Sequence, residues 1–219
     1  MQRYDIINWL IEKYGYKDYL ELGSTGRADN QKVNFNKITA ENKTGVDTKG
    51  SPDYKMTTDE FFEQLALDTM YDIVFIDAEH IDTTVIRDID NSLKHLRGNG
   101  AIVLHDCNPP TQQHSVILEE DAPYKTGADG RGYYVWNGTV WRAFVMKRLF
   151  NKDLTCRCVD ADWGCGIIQR GPWLPFDGQI YSEDATREHL TYPLMALDRA
   201  NYLNLITVDE FKEIYNGTD

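Results

Sequence analysis

Short apolar runs alternate along this chain with amphipathic stretches, and this alternation is the feature that most restricts its fold. The predicted strands cover residues 19–23, 43–47, 71–77 and 101–106, and the predicted helices cover residues 3–14, 85–96 and 140–149. Thr57 and Glu60 form a capping box that begins a further helix, and Thr207 and Glu210 form another near the end of the chain. Strands that alternate with helices predict an α/β domain with a mostly parallel sheet.

Two later segments depart from this alternation. Residues 154–160 and 164–169 read as strands joined by a tight turn, which predicts an antiparallel hairpin. Residues 109–137 have little periodicity and are rich in Gly, Pro and polar residues, as is typical of a functional lid. No linker is evident, so we expect a single domain over residues 1–219, with its core at about 15–170 and a C-terminal extension over 171–219.

Composition narrows the function and the compartment. The net charge is −12, with 35 acidic and 23 basic residues, which disfavours nucleic acid as a partner. No apolar run is long enough to span a membrane, and the N-terminus lacks the features of a signal peptide. Cys156 and Cys158 share one strand face, which a soft-metal site would need, but buried free thiols in a reducing compartment are the better interpretation. We therefore expect a cytoplasmic protein.

The predicted strands end in or beside acidic residues: Glu21, Asp47, Asp77 and Asp106. Ligands of open α/β sheets bind where the carboxyl ends of the strands meet. A carboxylate placed there costs desolvation free energy unless it has a partner. Four such residues indicate a ligand rich in hydroxyls and amines, or a cation.

The first strand leads into a glycine turn that contains Gly23 and Gly26, but the GxGxxG fingerprint of dinucleotide sites is absent. Asp47 lies 24 residues after Gly23 at the end of the next strand, a spacing that suits hydrogen bonds to two ribose hydroxyls. These observations fit a zwitterionic ligand that bears a ribose and no phosphates, such as S-adenosylmethionine.

Residues 19–23 and 45–47 (YLELG and GVD) resemble motifs I and II of class I S-adenosylmethionine-dependent methyltransferases. Residues 71–80 (YDIVFIDAEH) and 103–107 (VLHDC) are similar to a bacterial "FIDGxH … HD" group related to macrolide-sugar O-methyltransferases, although Ala78 and Glu79 depart from its usual small residues. The resemblance covers about residues 15–170. It implies a Rossmann-like class I methyltransferase fold, with a seven-stranded, mostly parallel sheet that ends in a C-terminal antiparallel hairpin. It also implies O-methylation of a small molecule or a glycan sugar.

The resemblance assigns the cofactor site. It implies that Glu21, Gly23, Ser24 and Gly26 surround the methionine part of S-adenosylmethionine, that Asp47 holds the ribose, and that Asp77 also lies against the cofactor. Asp59 would face the adenine amino group, although an acidic residue in a first helical turn also simply favours the helix dipole.

The candidate catalytic residues are Asp77, His80, His105 and Asp106. A histidine that titrates near neutrality can take the proton of an acceptor hydroxyl, and the resemblance favours His80 as this base, with His105 beside it. His80 can equally be a structural, hydrogen-bonded residue. Asp77 and Asp106 are the candidate ligands of a divalent cation such as Mg²⁺. Cys107 stands where catechol-type enzymes place Asn, and Asn108 could replace it only if the turn permits.

Alternatives to the methyltransferase remain at this stage. A Rossmann-type oxidoreductase or nucleotide-sugar enzyme is disfavoured by the missing fingerprint, and a non-catalytic, cofactor-binding scaffold stays open. The aromatic residues Tyr133, Tyr134, Trp136 and Trp141 can either stack on an acceptor or belong to the core. The expected partner is a small-molecule or glycan acceptor, with no membrane, and self-association into a homo-oligomer is left open.

Overall fold

The computed structural model describes residues 1–24, 34–127, 130 and 132–216. The strands are β1 (Asp18–Leu22), β2 (Asn42–Asp47), β3 (Tyr54–Lys55), β4 (Tyr71–Ile76), β5 (Leu96–Leu104), β6 (Tyr124–Thr126), β7 (Gly132–Tyr134), β8 (Leu154–Val159), β9 (Cys165–Arg170) and β10 (Leu205–Ile206). The helices are α1 (Arg3–Tyr14), α2 (Asn34–Lys37), α3 (Thr58–Gln64), α4 (Asp82–Lys94), α5 (Val140–Phe150), α6 (Glu183–His189), α7 (Tyr192–Leu197), α8 (Arg199–Leu203) and α9 (Val208–Asn216).

The main sheet has the strand order β10-β8-β9-β5-β4-β1-β2-β3. Strands β1, β2, β3, β4 and β5 pair in parallel, whereas β9 runs antiparallel to both of its neighbours, β5 and β8. The predicted α/β class, the mostly parallel sheet and the late antiparallel hairpin are confirmed. The described part of this sheet has eight strands against the seven predicted, and two of the eight, β3 and β10, have only two residues each.

Side chains alternate between the two faces of the sheet, and each face carries its own apolar layer. In β4, Ile73 and Phe75 face the layer that α1 and α9 cover, while Val74 and Ile76 face the layer that α3, α4 and α5 cover. Strands buried on both faces explain the nearly continuous apolar runs of β4 and β5.

The caps that the sequence predicts for two helices are present. The Thr57 hydroxyl accepts a hydrogen bond from the Glu60 amide, and the Glu60 carboxylate accepts one from the Thr57 amide at 2.9 Å. Thr207 and Glu210 repeat the arrangement at α9. The helix predicted over residues 85–96 ends earlier, at Lys94, because Leu96 already belongs to β5 and pairs with Tyr71.

The predicted lid, residues 109–137, has more local structure than its composition suggests. It contains two short 3-10 turns (Gln112–Ser115 and Glu119–Asp121) and the separate two-stranded ribbon of β6 and β7. Trp141 is buried in the core, whereas Tyr133 and Tyr134 are exposed on the ribbon. The extent of the domain, with its core and C-terminal extension, stays a prediction.

Candidate functional site

The carboxyl ends of β1 and β4 approach each other so closely that only glycine fits at the end of β1. Gly23 has a φ of +89°, and a Cβ there would lie 2.1 Å from the carbonyl oxygen of Asp77. Its amide donates a hydrogen bond to the carbonyl of Val46 in β2 at 2.9 Å. A glycine at this position therefore lets three strand ends meet at one edge.

A cavity of about 280 Å³ opens beside this glycine, between the ends of β1 and β2 and the first turns of α3 and α4. Its lining includes Gly23, Asp47, Asp59, Glu79 and Arg87. Asp59 forms an ion pair with Arg87 at 3.2 Å, and Asp47 accepts a hydrogen bond from the Lys49 amide at 2.8 Å. Three of the predicted cofactor residues, Gly23, Asp47 and Asp59, are thus brought to one cavity.

Two described residues that the resemblance assigns to the cofactor, Glu21 and Ser24, do not line this cavity. Because β1 alternates, Glu21 points to the same face as Tyr19, where it accepts hydrogen bonds from the Tyr19 hydroxyl and from the Asn34 amide. Burial raises the pKa of Glu21 to about 7. Ser24 is buried against Gly45, at which a Cβ would lie 2.9 Å from the Ser24 Oγ. Gly26 lies outside the described residues.

The predicted catalytic residues Asp77, His80 and Asp106 do come together. The His80 Nε2 lies 3.5 Å from the Asp77 Oδ1 and 3.6 Å from the Asp106 Oδ2. The His80 Nδ1 lies 3.1 Å from the carbonyl oxygen of Trp136. Since a carbonyl only accepts hydrogen bonds, Nδ1 carries the hydrogen, and the lone pair of neutral His80 resides on Nε2, between the two carboxylates.

His105 contacts the same two carboxylate oxygens as His80. Its Nδ1 lies 2.8 Å from the Asp106 Oδ2 and 3.3 Å from the Asp77 Oδ1, and its Nε2 lies 3.7 Å from the Asp162 Oδ1. Asp106 follows β5 with a φ of +61°, a left-handed conformation that costs about 1 kcal/mol in a non-glycine residue. His105 is therefore held by three carboxylates, whereas His80 contacts two.

The two histidines differ in how strongly their surroundings favour the charged form. Burial disfavours the imidazolium of His105, but the carboxylates of Asp77 and Asp106 outweigh burial and hold its pKa well above the usual range. Burial likewise opposes the charged form of His80, and its contacts with Asp77 and Asp106 raise its pKa more mildly. Asp77 has a lowered pKa, since the two histidines outweigh its burial. His105 is thus the fixed cation of the pair.

The lid exit, residues 136–139, contacts this cluster through a ring stack and hydrogen bonds. The Trp136 ring stacks on the His80 ring at 4.9 Å between centroids, and the Asn137 Nδ2 donates a hydrogen bond to the Asp106 Oδ1 at 2.7 Å. The Thr139 amide donates to the His80 carbonyl at 2.7 Å. The lid exit therefore forms one wall of the site.

Sequence reasoning missed three residues of the cluster: Arg3, Asn137 and Asp162. The Arg3 guanidinium contacts the Asp77 Oδ2 at 2.8 Å and the Asp162 Oδ2 at 2.9 Å, which joins α1 to the β8–β9 turn across 159 positions of the chain. Contacts at such separations leave no local pattern. Of the three residues, only Asn137 lies next to a residue that the sequence marks as a candidate, the aromatic Trp136.

Residues 25–107 match the profile of a family described as a methyltransferase domain. This stretch contains β2, β3, β4, β5 and the strand-end residues Asp47, Asp77 and Asp106. This match agrees with the resemblance to class I methyltransferases over that part of the chain, while the narrower bacterial group stays a prediction. A search of curated proteins found no match.

Several solved structures are similar to the chain, at low identity. A proposed caffeoyl-CoA O-methyltransferase from Staphylococcus aureus is 17% identical, with a TM-score of 0.49, over 77% of this chain and 82% of that one. A proposed O-methyltransferase from Klebsiella pneumoniae is 14% identical, with a TM-score of 0.47, over 75% and 78%. An O-methyltransferase from Bacillus cereus, solved in complex with SAH, is 13% identical, with a TM-score of 0.46, over 74% and 76%.

Proposed function

We propose that this chain transfers the methyl group of S-adenosylmethionine to a hydroxyl oxygen, because residues 25–107 match the profile of a methyltransferase domain. The acceptor is a small molecule or the sugar of a glycan. The observation that carries the proposal is the adjacency of two features at one sheet edge. The cavity at the ends of β1 and β2 adjoins the cluster of Asp77, His80 and Asp106 through the segment that follows β4.

The cavity residues have the chemistry to bind the nucleoside part of the cofactor. Asp47 offers carboxylate oxygens to vicinal ribose hydroxyls, and Asp59 offers them to the adenine amino group once its pair with Arg87 opens. Gly23 permits close backbone approach, and Ser24 and Glu21 support this turn from the buried side. When bound, S-adenosylmethionine supplies an electrophilic sulfonium methyl group.

We assign His80 as the base that accepts the proton of the acceptor hydroxyl. The Trp136 carbonyl holds the hydrogen on Nδ1 and so turns the lone pair of Nε2 towards the carboxylates. The Trp136 carbonyl orients the neutral ring, and Asp77 and Asp106 stabilise the imidazolium that forms. His105, already held by three carboxylates, is a positioning residue. Alignment of the reacting groups is the main source of rate enhancement in such a displacement.

A divalent cation such as Mg²⁺ fits the same cluster. One ligand atom each from Asp77, His80 and Asp106 lies within 4.8 Å of the others, and the two carboxylates are oxygen donors of the kind that Mg²⁺ prefers. We propose Asp77 and Asp106 as its ligands. A bound cation would lower the pKa of an acceptor hydroxyl and fix its position.

Location and partners complete the proposal. None of the helices in the described ranges has the length and apolar character needed to cross a membrane. The four cysteines are buried and free, which suits a reducing compartment, and we propose the cytoplasm. The excess of acidic residues makes nucleic acid an unsuitable partner, and a homo-oligomer remains open.

Calorimetric titration with S-adenosylhomocysteine, first in EDTA and then in Mg²⁺, tests the proposal. We expect binding in the micromolar range that Asp47→Ala weakens at least tenfold, because the ribose hydroxyls lose their acceptor. Asp68→Ala, which removes an exposed carboxylate outside the cavity, is the matched control. NAD is titrated in parallel. Absence of binding, or binding of NAD instead, would overturn the proposal in favour of a scaffold or an oxidoreductase.

A further inference from the structure

The residues that follow Asp106 do not supply another ligand to the candidate cation site. Cys107 is fully buried, and its thiol lies against the carbonyl oxygens of Leu104 and His105 at 3.9 and 3.7 Å. The Asn108 amide nitrogen donates to the Asp160 Oδ1 at 3.0 Å, and its oxygen accepts a hydrogen bond from Arg199. Both side chains are therefore engaged away from Asp77.

Asn137, at the end of the lid, contacts the side chain of Asp106 directly. Its side chain is 1% exposed, and its Nδ2 lies 2.7 Å from the Asp106 Oδ1. The Asn137 Oδ1 is buried and has no hydrogen-bond partner among the described residues. A buried acceptor without a partner lowers the stability of a protein by about 1–3 kcal/mol, so a hydrogen-bond donor or a cation beside this oxygen would be stabilising.

The neighbours of this amide favour a cation as the missing partner. The side chains of Asp77 and Asp106 are carboxylates, which accept hydrogen bonds, so neither can donate one to the Asn137 amide oxygen. An uncharged amide oxygen is a ligand of the same hard class as a carboxylate. A half-turn of the amide exchanges its two atoms, which also lets the oxygen take the place of Nδ2 beside Asp106.

We infer that Asn137 is the third protein ligand of the cation, with Asp77 and Asp106, in place of a residue that follows β5. The inference rests on the proposed function, since it concerns the cation that the two strand-end carboxylates would hold. The lid exit then provides part of the site, because Asn137 lies between Trp136, which stacks on His80, and the Thr139 amide, which donates to the His80 carbonyl. Cation binding and the closed position of the lid exit become linked equilibria.

Binding of Mn²⁺ as the probe ion, measured by electron paramagnetic resonance of the free ion, tests this assignment without any acceptor. Asn137→Ala should weaken Mn²⁺ binding about tenfold or more, the scale expected when a metal site loses one contributing group. Asn108→Ala is the matched control, because it removes the same side chain two positions after Asp106, where it bonds Asp160 and Arg199 instead. We expect it to leave the affinity within about twofold, far less than the tenfold effect of a lost contributing group.

A second variant keeps the test decisive if Asn137→Ala is unstable. Asn137→Asp retains an oxygen at the site but places a carboxylate against Asp106, so we expect a lower melting temperature without ions. Saturating Mn²⁺ should then raise its melting temperature by more than that of the wild type. Asn108→Asp should show no such gain.

Three results would overturn the inference. The first is wild-type Mn²⁺ affinity in Asn137→Ala, and the second is an equal loss in Asn108→Ala. The third is a wild-type protein that binds S-adenosylhomocysteine but no Mn²⁺, which removes the cation while the methyltransferase proposal stands. A protein that binds neither would overturn both.

Discussion

Glu21→Gln is expected to change how the stability of the protein depends on pH. Burial raises the pKa of Glu21 to about 7 in the folded chain, against an ordinary value of 4.5. Folding therefore favours the protonated carboxyl. The contribution of this group to stability is complete below pH 4.5 and is lost as the pH rises through 7. Glutamine has nearly the same shape, stays neutral, and carries no such penalty.

The size of the effect follows from the two pKa values. Each unit of difference corresponds to 1.36 kcal/mol, so the full penalty is about 3 kcal/mol, most of which develops between pH 5 and pH 8. Urea unfolding of both proteins at these two pH values measures it. We expect the free energy of unfolding of Glu21→Gln, relative to the wild type, to rise by that amount, while other titrating groups cancel.

Glu213→Gln serves as the control, since Glu213 is exposed on α9. Its stability relative to the wild type should change little over the same pH interval. The reasoning would be refuted if the difference between Glu21→Gln and the wild type were the same at both pH values. That result would mean that the hydrogen bonds from Tyr19 and Asn34 already compensate the burial of the carboxylate.

Three further predictions concern the frame of the site. Gly23→Ala should abolish S-adenosylhomocysteine binding and lower the melting temperature, because its Cβ would lie 2.1 Å from the Asp77 carbonyl oxygen; Gly98→Ala, with open space around it, should do neither. Arg3→Met should lower the free energy of unfolding, measured in urea, by about 2 kcal/mol, because the partly buried carboxylates of Asp77 and Asp162 lose their cation. Arg87→Met, the control, removes an exposed ion pair and should lower it by less than about 1 kcal/mol. The four buried thiols should react with Ellman's reagent only after unfolding, and fast reaction of the native protein would contradict their burial.

The sequence predicts those parts of the fold that leave a local signal. The apolar run of β4, the capping box at Thr57 and the hairpin of β8 and β9 each lie within a few consecutive residues, and the structure contains all three. Because the carboxyl ends of parallel strands share one edge, the proximity of Asp77 to Asp106 also follows from their positions in the pattern. Local periodicity therefore suffices for this half of the site.

The remainder of the site depends on contacts between distant segments. Arg3 is one charge in an ordinary amphipathic helix, and nothing near it in sequence indicates Asp162 as its partner. Asn137 lies in a segment without periodicity, so its burial against Asp106 could not be predicted. Glu21 was expected to face the cofactor, but the alternation of β1 directs its carboxylate towards Tyr19. A motif identifies the residue, while the strand determines where its side chain points.

Because β9 runs antiparallel, the sheet edge that carries the candidate site has two parts formed by different segments of the chain. If β9 ran parallel to β8, it would begin at the opposite edge of the sheet from the one where β8 ends. Because β9 runs antiparallel, it begins at the same edge, and residues 160–164 form a tight turn beside His105 and Arg3. The cavity walls belong to β1, β2, α3 and α4, which share no residue with this turn. Substitutions in the turn can therefore change the side of the cluster that holds His105 and Arg3, while the residues that line the cavity stay the same. On the proposed function, a library restricted to residues 160–164 is the natural starting point for altering the choice of acceptor.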